Sequence, residues 1–313
     1  MSISKEIERL QQAKKDIGDA IVRKGGSVSG TIDTYAKSVM ALGDVSFRTA
    51  IDIVNKSDAK NVDLTMISPK NETSLSNLFR NNTNLININV SNWDTSKITS
   101  LRGAFAQIPN LTSVDFADWN VSNVTSFFAL FDGSNKIENI DVSKWDTSSA
   151  TNMAWMFTGN NLKHLDVSNF NTSKVTNMFA MFSGSNSLTQ LDISNFDTSN
   201  VLDFGHAFGY WGNVCEELNI SGLNLTKVTS IDSAFQSSSF NVIRSDGLRL
   251  PNIDMRNIGL NDSTELTVDS IVGLLNALPQ SDKGYSFQIG SNNIAKLSDE
   301  QKAIATNKGW TLI

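Results

Sequence analysis

Cys215, His164 and His206 are the only cysteine and histidines in the chain, so any thiol or imidazole chemistry has to come from them. His206 precedes Cys215 by nine residues, a pairing that a nucleophilic thiolate would need. Position argues otherwise. Leu85, Leu111, Ile137, Leu162 and Leu188 recur at one place in successive segments, and Cys215 takes that place before Leu218. A free cysteine there is expected to be a small core residue. His164 aligns with Asn87, Ser113, Asn139 and Gln190, which predicts a solvated side chain. No Ser-His-Asp set, phosphate-binding loop or zinc-ligand spacing occurs. The expectation is therefore a non-enzymatic chain with no catalytic residue, no cofactor and no metal.

Two rows of acids and amides repeat along the chain. The first holds Asn89, Asp115, Asp141, Asp166, Asp192 and Asn219, and the second Asp94, Asn120, Asp146, Asn171, Asp197 and Asn224. Stacked carboxylates would suit Ca²⁺, which takes clustered oxygen ligands. There is no glycine-rich calcium loop, and Asx side chains commonly accept from backbone N–H groups two residues on. Turn capping is the expected role.

Aromatic residues divide into those on the beat and those off it. Trp93, Trp119 and Trp145 continue as Phe170, Phe196 and Leu223, which keeps size and apolarity rather than aromaticity. That row predicts core packing instead of a glycan platform. Arg102, Phe128, Trp155, Phe179, His206, Tyr210 and Trp211 break the periodicity and form the candidate binding surface. Tyr and Trp are favoured contact residues at interfaces.

The beat itself sets the architecture. NWDTSKIT, DWNVSNVT, KWDTSSAT, NFNTSKVT, NFDTSNVL and GLNLTKVT align without gaps, with steps of 26, 26, 25, 26 and 27 residues. A second row, Phe79, Phe105, Phe131, Phe157, Phe182, Phe208 and Phe235, keeps time with it. Each unit predicts a short strand such as LDVS (165–168), a DTS-type turn, and a helical turn over Thr176–Phe182. Such units bury their apolar sides only against one another. Strand starts are expected at Val62, Ile88, Val114, Ile140, Leu165, Leu191, Leu218 and Leu248. The predicted fold class is an α/β repeat solenoid, a leucine-rich-repeat-like parallel stack of about eight coils. At ~4.8 Å per strand step the rod would run roughly 34 Å.

Four regions follow. Residues 1–43 form a helical attachment or oligomerisation segment, with Ile3, Ile7, Leu10, Ile17 and Ile21 as an assembly seam at heptad spacing and Lys14 on it. Residues 44–61 are an N-terminal cap or linker, 62–260 the solenoid, and 261–313 a C-terminal α/β cap. In that cap, helices are expected near 268–278 and 299–307, the second opened by the capping box from Ser298 to Gln301. YSFQI and WTLI supply strands, and Gly309 is placed to end a helix.

LDVSNFNTSKVTNMFAMFSGSNSLTQ resembles the 26-residue repeat of the BspA-like leucine-rich-repeat proteins of bacterial surfaces, over about Val62 to Ile258. The resemblance implies a right-handed parallel solenoid for protein or glycan binding, without enzymatic activity. The ends, KKDIGDAIVRKGGSV…IDTYAKSVMAL and LSDEQKAIATNKGWTLI, are similar to segments of tailed-bacteriophage tail and fibre-type structural proteins. No secretion signal, lipoprotein cysteine or wall anchor is legible, which sets the chain apart from the cell-surface family.

Charge narrows the partners. Lys plus Arg is 26 and Asp plus Glu is 32, a net charge of −6, which disfavours nucleic acid. No apolar run approaches a membrane span. The leading expectation is a structural or receptor-binding protein located in a tailed-phage virion. Its partners would be other virion proteins and a host surface protein or glycan, with a homo-oligomer through the N-terminal helix. The rivals are a bacterial surface adhesin and a glycan-depolymerising tailspike. The latter needs a local carboxylate pair, whereas these acids repeat evenly.

Overall fold

The computed structural model describes residues 46–313 apart from Met66, Ala117 and Asn213. The predicted helical segment 1–43 and its seam lie outside the described residues.

The first described element is a helix, α1 (Phe47–Lys56), within the segment read as the N-terminal cap or linker. Ser46 caps it, its hydroxyl accepting from the Thr49 N–H. Ala50, Ile51 and Val54 lie on the buried face, and Phe47 meets Trp93 edge-on at 5.0 Å.

Strand structure is short and discontinuous. β1 (Asn61–Asp63), β2 (Asn87–Asn89) and β3 (Ser113–Asp115) form one parallel sheet with Val62 opposite Ile88 and Ile88 opposite Val114. β4 (Gln190–Asp192), β5 (Val214–Asn219) and β6 (Ser239–Arg244) form a second, with Leu191 opposite Leu218 and Leu218 opposite Ile243. Between Asp115 and Gln190 the described residues contain isolated bridges and turns but no strand. This overturns the predicted leucine-rich-repeat-like α/β solenoid of about eight coils. Among the described residues there are two separate three-stranded sheets instead, and no α-helix between Asn61 and Ile258. The cause is local. The alternating segments are only three residues long, and between Asp115 and Gln190 successive repeats are joined through isolated bridges and turn hydrogen bonds instead of a continuous ladder.

Two further expectations fail for physical reasons. The segment Thr176–Phe182 is a run of turns, not a helix. Met181 N–H donates to Met178 O, three residues back, which reproduces the helical spacing of the apolar residues. Alternate N–H groups leave the segment: those of Met178, Ala180 and Phe182 donate to Asp203 O, Gly205 O and Ala207 O of the following repeat. The same scheme joins Phe127, Ala129, Phe131 and Gly133 to Asn152, Ala154, Met156 and Thr158. It recurs from Leu75 to Tyr210, always with the N–H of one repeat directed at the carbonyl of the next. Two residues before each phenylalanine of the second row, φ is positive: Asn77, Gly103, Ala129, Trp155, Ala180, His206 and Ser233. Two residues after it, φ is positive again: Asn81, Gln107, Gly133, Gly159, Gly184, Tyr210 and Ser237. The second failure is Leu248. Ile243 pairs with Leu218, while Leu248 donates to Ser245 O as Leu223 does to Ile220 O, so LRLPNI carries the turn rather than the strand.

The rows pack as aromatic columns. Phe79, Phe105, Phe131, Phe157, Phe182, Phe208 and Phe235 stack in succession with centroids 5.4–6.1 Å apart. Trp93, Trp119, Trp145, Phe170 and Phe196 are all buried. Trp93 stacks on Trp119 at 5.9 Å, and Phe116 wedges between Trp119 and Trp145 at 5.7 and 5.1 Å. Trp93 and Trp119 donate their indole N–H to Leu64 O and Val90 O of the preceding repeat. A buried tryptophan therefore satisfies its polar end within this column.

The C-terminal region contains α2 (Val268–Ala277), β7 (Ser286–Phe287), α3 (Ser291–Ala295), α4 (Asp299–Thr306) and β8 (Thr311–Leu312). β7 and β8 pair in parallel, and the Ser298–Gln301 capping box is formed. α3 had no sequence signal beyond Gly290 ahead of it. A bridge from Met255 to Phe287 ties this region to the repeats.

Candidate recognition surface

The two positive-φ columns and the residue just before the first one decide what the turns present. Three residues before the phenylalanine row stand Arg102, Phe128, Ala154, Phe179 and Gly205; two before it stand Gly103, Ala129, Trp155, Ala180 and His206. Where the first position is small the second is aromatic, and the reverse, so these repeats each carry one large side chain. A side chain holds each turn from within. The Asn152, Asn177 and Asp203 Oδ1 atoms accept from the N–H groups of Ala154, Phe179 and Gly205 at 2.9–3.0 Å.

The candidate residues fall together in two stretches. The Arg102 guanidinium lies 4.1 Å over the Phe128 ring. Trp155 contacts Phe179 at 5.6 Å, Phe179 meets His206 at 5.2 Å, and His206 stacks on Tyr210 at 5.9 Å. Trp155 and Tyr210 are exposed, and the Tyr210 hydroxyl donates to Gln236 Oε1 at 3.0 Å. Trp211 does not belong to this surface. It is buried, donates its indole N–H to Phe182 O at 2.6 Å and packs on Phe208 and Phe240. It occupies a buried place held elsewhere by Ser134, Asn160, Ser185 and Ser238, so breaking the periodicity did not mean facing solvent.

The acidic rows are turn caps. Asn89, Asp141, Asp166, Asp192 and Asn219 accept from the N–H two residues on, as do Asp94, Asn120, Asp146, Asn171, Asp197 and Asn224. Hydrogen bonds from Ser143 and Ser168, through both hydroxyl and N–H, hold the Asp141 and Asp166 carboxyls below their ordinary range. Ser148 and Ser199 do the same for Asp146 and Asp197. Groups with a depressed folded pKa stabilise above the ordinary carboxylate pKa and lose that contribution as pH falls through the folded one. The melting temperature is therefore expected to be flat near neutrality and to fall below about pH 4. Ser143→Ala should move the Asp141 carboxyl titration upward, measured by NMR.

An open groove along β4 and β5 is lined by His164, Asp166, Gln190, Asp192, Glu217 and Asn219. Its carboxylates are already engaged, Asp166 and Asp192 with their turns and Glu217 with Arg244 at 2.6 Å. His164 is exposed on its rim.

Cys215 lies in β5 opposite Phe240, fully buried, with Sγ 3.5 Å from Thr189 O. His206 sits on the outer stripe, so the two make no nucleophilic pair. Burial pushes the thiol up to about 12. Thiol reagents at neutral pH are expected to leave it unmodified until denaturant is added. Rapid labelling of the native protein would place β5 outside the core. The unfolded thiol ionises first, so this residue also lowers stability as pH rises through about 9.

Parallel, in-register units with buried aromatic columns define a tandem-repeat protein. The family described as "Mycoplasma protein of unknown function, DUF285" matches residues 49–163 and 131–246. Those matches span more than half of the chain, and the chain belongs to that family. No curated protein matches it.

Proposed function

We propose that this chain is a non-enzymatic recognition protein, a receptor-binding or structural component of a tailed-bacteriophage particle. The observation that carries recognition is the surface stripe Trp155–Phe179–His206–Tyr210, exposed at Trp155 and Tyr210 and half-buried at Phe179 and His206, built by side chains that the turns themselves do not require. Large aromatic groups held by contacts across repeats offer area at little entropic cost on binding. The BspA-like character of the repeats supports a surface-binding role, and the similarity of both chain ends to tail and fibre-type proteins supports the particle assignment. In this reading residues 1–43 attach the repeat body to other virion proteins or to a sister chain through Ile3, Ile7, Leu10, Ile17 and Ile21.

Two measurements test it. Mass spectrometry of purified particles induced from the source strain should find the chain, and immunolabelling should place it on the particle surface. Its absence from particles would overturn the assignment. Purified protein should bind intact host cells, and equal binding by a variant with alanine at Trp155 and Phe179 would overturn the recognition face.

A further inference from the structure

We propose that the aromatic stripe binds a linear, uncharged polysaccharide lying along the direction in which the repeats succeed one another. This rests on the recognition reading above and gives its ligand a chemical class.

The stripe is not needed for the fold. Left-handed backbone disfavours bulky side chains. The column of Trp155 and His206 is filled elsewhere by Asn77, Gly103, Ala129, Ala180 and Ser233, and the column of Tyr210 by Asn81, Gln107, Gly133, Gly159, Gly184 and Ser237, none of them aromatic. Trp155, with φ 62°, is 37 % exposed, and Tyr210, with φ 62°, is 47 % exposed, so neither gains core burial for its strained backbone. Strained residues whose side chains face solvent point to use rather than stability.

The shape suits a narrow polymer. Trp155, Phe179 and His206 belong to three successive repeats and follow one another at 5.6 and 5.2 Å, close to the ~4.8 Å step between parallel strands. Tyr210 flanks His206 within the same repeat at 5.9 Å and widens that end of the stripe. The C–H faces of pyranose rings pack on aromatic faces, while their hydroxyls need neutral donors and acceptors alongside. Asn152, Asn177 and Gln236 border the stripe; the two asparagines use Oδ1 for the turns, which leaves their amide nitrogens as donors.

Charge and backbone select against other occupants. Arg102 is engaged with Phe128, and Asp203 lies beside the stripe in a chain of net charge −6, so a polyanion finds no cationic track. Peptide addition by β-pairing needs an open edge. Here the N–H groups of Trp155, Ala180 and His206 already donate to Phe179 O, Gly205 O and Asp232 O.

The full chain should be screened against immobilised neutral glucans, mannans and galactans, with hyaluronate and alginate as polyanionic controls. Affinity for a bound glycan is then measured by tryptophan fluorescence. The expected result is binding to at least one neutral glycan, strengthening with oligosaccharide length. Trp155→Ala should weaken it at least tenfold, with an unchanged melting curve, since Ala129 and Ala180 occupy the same column. Preference for the polyanions, binding unaffected by Trp155→Ala, or no neutral glycan bound would each overturn the glycan assignment. Host-cell binding separates the two readings. If cells are bound in a Trp155-dependent manner that survives periodate oxidation of their sugars but not protease treatment, recognition stands and the ligand is protein. If cells are bound equally by the wild type and the variant, recognition on this face falls as well.

Discussion

Replacing Trp119 by alanine is expected to lower stability by about 3–5 kcal/mol. The indole is buried, stacks on Trp93, touches Phe105 at 5.9 Å and supports Phe116. Truncation removes those contacts and leaves Val90 O, its acceptor at 2.9 Å, without the indole donor. Neighbours on both sides belong to other repeats with aromatic rows of their own, so collapse into the space is restricted. Urea unfolding of the two proteins gives the difference. A loss below about 1 kcal/mol would mean that the column relaxes freely.

Gly309→Ala is expected to cost about 2–4 kcal/mol, combining backbone strain with overlap. Gly309 has φ 82°, and an added Cβ would stand 2.0 Å from Ser281 O and 3.1 Å from its carbonyl carbon. The obstacle is backbone, and it is pinned: Ser281 N–H donates to Lys308 O, while Trp310 donates its indole N–H to Pro279 O. Gly284 provides the control. Its φ is 62° but nothing lies within 4 Å of an added methyl, so Gly284→Ala should show only the backbone part, about 1 kcal/mol. Equal effects at the two positions would show that the 281–310 contact yields without cost.

These sites also show what a sequence can and cannot disclose. The aromatic rows were legible because one residue type returning every 26 positions has few explanations other than shared packing. The strand positions at Val62, Ile88, Leu191 and Leu218 followed from the same beat. The turns imitate a helix in sequence because a turn closed by a three-residue hydrogen bond spaces Met178, Met181 and Phe182 as a helix would. The positive φ at Ala180 and Gly184 and the N–H groups of Met178, Ala180 and Phe182 donated to the next repeat separate them, and alanine carries no sequence signal for either. Gly133, Gly159 and Gly184 at one column were the available clue. LRLPNI imitated a strand by alternation alone, while the true partner of Leu218 lay five residues earlier at Ile243. In α1, Ser46 ahead of Phe47, Ala50, Ile51 and Val54 is a helix start that the sequence itself carries. Within the surface, Trp155, Phe179, His206 and Tyr210 stood out because they depart from the beat. Trp211 departs from it too, but it replaces small buried side chains, and periodicity cannot tell an enlarged interior from a decorated exterior.

The hydrogen bonding of the turn columns is one-way, each N–H aimed at the next repeat, while the column Thr99, Thr125, Thr151, Thr176, Leu202 and Thr229 donates to the preceding repeat. Within the turn columns the peptide dipoles add, as along an α-helix. Their end carbonyls face the N-terminal side and their end N–H groups the other. The termini are dressed accordingly. Arg48 and Asn55 of α1 donate to Ser74 O and Leu78 O at the negative end. At the positive end the Asp262 carboxylate accepts from Ser237 N–H and Gln288 from Gly259 N–H. Lengthening the array would leave both fittings unchanged, because only the outermost dipoles lack a partner. A cationic terminator at one end and an anionic one at the other therefore give the chain a head and a tail that cannot be exchanged.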